Sequence, residues 1–88
     1  MGIKIKLSQD FQRFANNQEM IEVKGSTVKE CLSSLINLFP GLKELLFDTN
    51  NGLSALVILN NEAILPSELD RPLSEQNELS ILPLIYGG

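Results

Sequence analysis

The sequence predicts an α+β fold in which a mixed sheet of four to five strands is covered on one face by one main helix. Residues 3–7 and 19–24 alternate between apolar and polar side chains, which is the period of a half-buried strand. Residues 28–39 place apolar side chains at helical spacing, and strand-like segments follow them. A hairpin, one amphipathic helix and further strands together favour a roll in which the helix crosses a single sheet.

The first two strands are expected to form a β-hairpin with a long connection. Their inward-facing side chains are Ile3, Ile5 and Leu7 in the first strand and Ile21 and Val23 in the second. In the polar connection, Phe11 and Phe14 are expected to plug the edge of the core from a loop. Asn16 and Asn17 are expected to turn the chain, because Asn tolerates the left-handed region.

The main helix has the clearest signals in the chain. Thr27 and Glu30 have the spacing of a capping box, in which the Thr hydroxyl accepts from the Glu30 amide and the carboxylate reaches back to the N–H of Thr27. Cys31 is interpreted as a small buried hydrophobe rather than a reactive thiol, since no base or cationic cluster neighbours it in sequence. The apolar stripe comprises Val28, Leu32, Leu35, Ile36 and Phe39, and Pro40-Gly41 ends the helix.

The second half of the chain predicts a short helical turn followed by strands. The predicted elements are a helical turn at 42–47, a loop at 48–52, strands at 53–59, 62–65 and 78–82, and a tight turn at Asn60-Asn61. The strand at 53–59 is apolar on both faces, so its second face is either covered or presented to a partner. Leu56, Ile58 and Leu82 are therefore a candidate exposed patch, and contact with loops or with the short helix is the alternative.

The composition excludes most catalytic chemistry. The chain has 88 residues, a net charge of -4, no histidine and one cysteine. It therefore cannot build a Ser/His/Asp or Cys/His site or a Cys/His zinc cluster. The acidic balance argues against nucleic-acid and anionic-membrane partners, and the single cysteine favours a reducing, cytoplasmic location. No signal peptide is expected at the start of the sequence, and no apolar run approaches the length of a membrane span.

The end of the sequence, residues 81–88, is an apolar run followed by two glycines. Neither Gly87 nor Gly88 carries a Cβ, so a narrow channel in another protein could admit this thin backbone. A floppy terminus without a function is the alternative that the tail alone leaves open.

A series of motifs along nearly the whole chain resembles a known family. The series is Gly25-x-Thr27-Val28-x-Glu30-x-Leu32, Pro40-x-Leu42, Ile58-Leu59-Asn60-Asn61-Glu62, Leu69-x-x-Pro72-Leu73, Glu78-Leu79-x-Ile81-Leu82-Pro83 and Gly87-Gly88. In order and spacing it is similar to the MoaD/ThiS family of ubiquitin-like sulfur-carrier proteins. The sequence departs from that pattern in four places. Asn61 replaces a frequent Gly in the hairpin turn, and residues 74–78 replace the usual Asp-Gly-Asp-Glu turn. Leu84 replaces a frequent second proline, and Tyr86 replaces a small residue directly before the glycines.

The resemblance implies the β-grasp fold, with a domain at residues 1–83 and a flexible tail at 84–88. It implies that a ubiquitin-activating-type adenylyltransferase, which brings ATP and Mg²⁺, adenylates the Gly88 carboxylate before its conversion to a thiocarboxylate. This chain is then a carrier without catalytic residues, metal or a cofactor of its own, and Gly87 gives the tail clearance. By the same resemblance, the arm that enters partners is Leu82, Pro83, Leu84, Ile85 and Tyr86, and Leu56 and Ile58 are a possible docking patch.

The enzyme that accepts the sulfur stays open at this point. The first choice is molybdopterin synthesis, with this chain as the small subunit of the synthase, and cysteine biosynthesis is close behind. Thiazole synthesis fits less well, because carriers of that branch are usually shorter. Two other functions are a protein modifier, joined through Gly88 to lysines of target proteins, and a ubiquitin-like binding module that does not use its terminus.

Overall fold

The protein's fold is described by a computed structural model that covers residues 2–47 and 53–83. The strands are β1 (Ile3–Leu7), β2 (Met20–Val23), β3 (Ala55–Leu59), β4 (Glu62–Ala63) and β5 (Glu78–Pro83). The α-helices are α1 (Gln9–Gln12), α2 (Val28–Leu38) and α3 (Lys43–Leu46), and 3₁₀ turns occupy Pro40–Leu42 and Pro66–Glu68. The loop predicted at 48–52 lies outside the described residues.

The five strands form one mixed sheet in the order β2-β1-β5-β3-β4. β1 pairs antiparallel with β2 and parallel with β5, and β3 pairs antiparallel with both β5 and β4. The last strand of the chain is therefore the central strand of the sheet. The predicted mixed sheet with one main helix is confirmed.

The core lies between α2 and the sheet face that the helix covers. The alternating pattern of β1 is confirmed, since Ile3, Ile5 and Leu7 are buried while the two lysines between them are exposed. The other fully buried side chains that join this cluster are Ala15, Val28, Cys31, Leu32, Leu35, Leu42, Leu46, Val57, Leu59, Leu79 and Ile81. Within residues 2–47 and 53–83, no charged side chain is buried, and no helix is long and apolar enough to cross a membrane.

The N-terminus of α2 is capped largely as predicted. The Thr27 hydroxyl accepts a hydrogen bond from the Glu30 amide at 3.2 Å. The Glu30 carboxylate, however, accepts from both the backbone N–H and the hydroxyl of Ser26, each at 2.8 Å, rather than from the N–H of Thr27. The N–H of Ser26, one residue before the N-cap, therefore points toward the first turn of the helix. The carboxylate holds Ser26, the residue before the N-cap, through two hydrogen bonds.

Replacing Thr27 with Ala is expected to lower the free energy of unfolding by about 1 kcal/mol, because the Glu30 amide loses its acceptor. Urea denaturation followed by circular dichroism measures the change. The matched control is Ser33→Ala, an exposed position on the same helix, and it should shift the midpoint little. An equal loss of stability in both variants would contradict a capping role for Thr27.

The connection between β1 and β2 differs from the predicted loop. Its first part is the single helical turn α1, in which Phe11 is buried as predicted. Phe14 is 40% exposed, so the prediction that it plugs the core is wrong. Ala15 occupies the inward position instead and is fully buried, because residues four apart share one face of a helical turn.

Two asparagine pairs turn the chain, as predicted. Asn16 and Asn17 have φ values of 54° and 61°, and Asn60 and Asn61 have 53° and 68°. Positive φ at both central residues is the geometry of a type I′ hairpin, which joins β3 to β4. β4 is shorter than the predicted strand at 62–65, because Pro66 follows closely and cannot donate to a ladder.

Candidate functional site

The base of the C-terminal arm is held in the middle of the sheet. β5 pairs with β1 on one side and with β3 on the other, so its backbone is hydrogen-bonded along both edges. The strand extends to Pro83, which lies opposite Ala55 at the start of β3. Whatever follows Pro83 therefore starts from a fixed point on a rigid strand.

The residues that carry the predicted chemistry follow that point directly. Leu84, Ile85, Tyr86, Gly87 and Gly88 lie outside the described residues. The structure describes only two residues of the predicted arm, Leu82 and Pro83 at its base. Leu82 is 36% exposed on the sheet face away from α2.

The face of the sheet opposite α2, which we call the open face, carries the predicted patch. Leu56 lies opposite Leu82 across the β3–β5 ladder, and Ile58 lies opposite Ser80 on one side and Ala63 on the other. Leu56 and Ile58 are half-buried, whereas their neighbours Ala55 and Val57 point inward and are buried. The structure therefore brings together all three residues of the candidate patch, at the end of the sheet from which the arm leaves.

The other half of the open face is charged. Lys4 lies between Glu22 on β2 and Glu78 on β5, in register with both. Such cross-strand pairs of opposite charge are mildly favourable. The open face is thus divided into an apolar half on β3 and β5 and a charged half on β1 and β2.

One exposed apolar side chain on the open face was missed by the sequence reasoning. Met20 is 43% exposed and lies opposite Lys6, which in turn lies opposite Ser80. The alternation within β2 could have predicted this position, because Ile21 and Val23 face the core and Met20 therefore faces the other way.

The chain's only cysteine is not placed to act as a nucleophile. Cys31 is fully buried in the core, as predicted. Burial raises the pKa of its thiol, and the negative charge of Glu30 raises it further. The pKa of Glu30 is itself lowered, first by the hydrogen bond from the Ser26 N–H and then by the Ser26 hydroxyl. The reactive thiolate form of Cys31 is therefore disfavoured.

The described residues form no cluster of three or more His, Cys, Asp or Glu side chains that could hold a metal ion. The distinctive reactive group that the sequence points to is the terminal carboxylate beyond Pro83.

Comparison with known proteins agrees with the fold. The chain is 27% identical to small archaeal modifier protein 1 of Methanosarcina acetivorans, with a TM-score of 0.83 over 99% of this chain and 96% of that one. It is 22% identical to a chain of the BexX/CysO complex of Amycolatopsis orientalis, with a TM-score of 0.82 over 98% of this chain and 99% of that one. It is 24% identical to a chain of the complex of subunits 1 and 2 of the molybdopterin-converting factor of Helicobacter pylori, with a TM-score of 0.65 over 100% of both chains.

These similarities confirm the β-grasp architecture that the resemblance implied. No sequence among the curated proteins matches the chain. The ThiS family matches it over residues 5–88, a stretch that includes most of β1, all of β2 to β5 and the two terminal glycines. The chain therefore belongs to the ThiS family of ubiquitin-like sulfur-carrier proteins.

Proposed function

We propose that this chain carries sulfur as a thiocarboxylate on the C-terminal carboxyl group of Gly88. The observation that supports the proposal most is that the family match runs through the terminal Gly87-Gly88 pair and does not stop at the folded domain. The division of the chain into a domain at 1–83 and a tail at 84–88 is part of the same proposal. The arm's base agrees with it, since Leu82 and Pro83 pair with β3 and directly follow residues 79–81, which pair with both β1 and β3.

The proposed chemistry needs an activating partner, because an ionised carboxylate is a poor electrophile. The Gly88 carboxylate attacks the α-phosphorus of ATP on that partner, which is an adenylyltransferase with Mg²⁺, and pyrophosphate leaves. Sulfide then displaces AMP from the acyl adenylate and forms the thiocarboxylate. If the donor is a persulfide, the acyl disulfide that forms first is cleaved by a second thiol. This chain supplies the carboxylate and the clearance of Gly87, and the partner supplies the catalytic groups.

Intact-mass spectrometry of the protein purified from its native cells tests the proposal. A fraction of the chain should carry the mass increase of one oxygen replaced by sulfur, and fragmentation should locate the change at Gly88. Treatment with an alkylating reagent should add one label at that position, because a thiocarboxylate is nucleophilic. A chain found only with its unmodified carboxylate, under conditions that demand the sulfur product, would contradict the proposal.

For the sulfur acceptor, we propose the large subunit of a molybdopterin synthase, with this chain as the small subunit. The converting-factor complex of Helicobacter pylori is a precedent for a β-grasp chain of this length paired with a second subunit. Cysteine biosynthesis is the alternative acceptor pathway, and thiazole biosynthesis is less favoured. Mixing the purified thiocarboxylate with each candidate acceptor and its substrate, and following the return of the carboxylate mass, decides between them.

A second candidate function is protein modification. The chains of small archaeal modifier protein 1 from Methanosarcina acetivorans and Haloferax volcanii are 27% and 25% identical to this one. In this function, a lysine amine of a target displaces AMP from the Gly88 adenylate and forms an isopeptide bond. Immunoblots of native cells would then detect a ladder of larger conjugates, which the carrier function alone does not produce.

The apolar half of the open face is the proposed docking surface for these partners. Replacing Ile58 and Leu82 together with Ala is expected to weaken binding to the activating enzyme by about tenfold or more, as for central apolar residues of an interface. Isothermal calorimetry or surface plasmon resonance measures the change. The matched control is Met20→Ala, a similarly exposed apolar side chain on an edge strand of the same face. Equal effects of both variants would contradict a local docking patch.

A further inference from the structure

A second recessed surface lies on the helix side of the sheet, away from the open face. It is a groove of about 520 Å³ between α2 and the end of α3. Its apolar lining is Ile36, Phe47 and Leu69, all of them half-buried. Lys29 and Lys43 line the same groove and are exposed. We call it the helix-side groove.

The charge of the helix-side groove is opposite to that of the chain as a whole. The chain carries a net charge of -4, yet the charged side chains that line this groove are both lysines. At the Lys29 end, Glu30 and Asp70 line an adjoining cleft with Lys29 and offset its charge. Glu44 follows Lys43 on α3 but does not line the groove. An apolar ligand with a single negative charge therefore fits best with that charge beside Lys43.

The chain's own terminus has this composition. After Pro83 come the apolar residues Leu84, Ile85 and Tyr86, then two glycines and the terminal carboxylate. Tyr86 stands directly before the two glycines. An aromatic ring there adds apolar area that the groove can cover.

The tail is long enough to reach the groove within one molecule. Pro83 pairs with Ala55, and the N–H of the adjacent Ser54 donates to the Leu46 carbonyl at 2.8 Å. With about 5 Å across a strand pair and about 3.4 Å per strand residue, Leu46 lies within about 15 Å of Pro83. Five extended residues span about 17 Å. Phe47 comes directly after Leu46, and Lys43 lies one helical turn before it.

We propose that residues 84–88 dock in the helix-side groove of the same molecule. Leu84, Ile85 and Tyr86 then contact the apolar lining, and the Gly88 carboxylate lies beside the Lys43 ammonium. The docked tail is withheld from the activating enzyme, which must bind the released form. Docking does not depend on whether Gly88 ever carries sulfur, so its test is separate from the test of the proposed function.

Tyr86 reports the position of the tail by itself, because the chain has one tyrosine and no tryptophan. Acrylamide quenching of its fluorescence should be weaker in the full chain than in a synthetic peptide of residues 82–88. Lys43→Glu reverses the charge beside the carboxylate. It should lower the equilibrium constant for docking by about twofold to fivefold, as for the loss of a partly exposed ion pair, and quenching should rise toward the peptide value. A glutamate in the first turn of α3 is also favourable for the helix, so the variant should fold.

Lys6→Glu is the matched control, since Lys6 is an exposed lysine on the open face. It should leave quenching unchanged, and so should dilution of the protein if docking is intramolecular. The proposal is overturned if the full chain is quenched as strongly as the peptide, or if Lys6→Glu removes protection as fully as Lys43→Glu. Protection lost on dilution also overturns it, because the tail then binds a second copy. In ¹⁵N spectra, deleting residues 84–88 should shift the amide signals of Ile36 and Lys43, which are remote from the cut strand end.

Discussion

Removing Gly88 alone is expected to reduce sulfur loading by at least about 100-fold, because the new terminal carboxylate stops short of the reacting phosphorus. The chain that ends at Gly87 still has a carboxylate, so the loss would reflect its position and not its chemistry. β5 ends at Pro83, whose pairing with Ala55 fixes the point from which residues 84–88 start. Intact-mass measurement of the thiocarboxylate after incubation with the activating enzyme, ATP and a sulfur donor gives the rate.

In the same assay, Gly88→Ala distinguishes the effect of tail length from the effect of side-chain size at the last residue. This variant keeps the length of the chain and the carboxylate but adds a Cβ, so slow loading would indicate a narrow channel around the last residue. Thermal unfolding should be the same in all three proteins, since the change lies beyond Pro83, the last residue of β5. Loading of the truncated chain at the full rate would contradict the proposed role of Gly88.

Leu35→Ala is expected to lower the free energy of unfolding by about 2–5 kcal/mol. Leu35 is fully buried where α2 packs on the sheet, and the truncated side chain leaves a cavity in the core. Domains of this size have about 4–13 kcal/mol of stability in total, so the variant should unfold at a much lower urea concentration. Circular dichroism measures the midpoint.

The matched control for this variant is Leu38→Ala on the same helix. Leu38 is 56% exposed, so its removal should change the unfolding midpoint little. The pair holds helix propensity and residue type constant and differs in burial. If the two variants lost equal stability, the packed face of α2 would have been assigned wrongly.

The local elements were readable from sequence because their signals are short-range. The alternation of residues 3–7, the Thr27 cap and the Asn60-Asn61 turn each depend on neighbours within four residues along the chain. Hydrophobic periodicity likewise located α2 and the inward faces of the strands. The motif series and the terminal glycines led to the family, which the match over residues 5–88 confirms.

The errors have a common physical origin. Phe14 is as apolar as Phe11, and only the position of a helical turn relative to the core decides that Ala15 points inward instead. The Glu30 carboxylate accepts from Ser26 rather than from the N–H of Thr27, because the chain before the cap brings the Ser26 amide and hydroxyl within hydrogen-bond distance. The residues of a short segment do not by themselves determine which side of that segment packs against the core.

The sequence by itself thus determined most of the elements and the family, because both depend on neighbouring residues or on their order. The pairing of β5 between β1 and β3 brings together residues that are more than 70 positions apart, such as Ile5 and Leu79. That long-range pairing decides where β5 ends at Pro83 and which half of the open face is apolar. These properties depend on the register of distant strands, which is set by the packing of the whole core and not by any one segment.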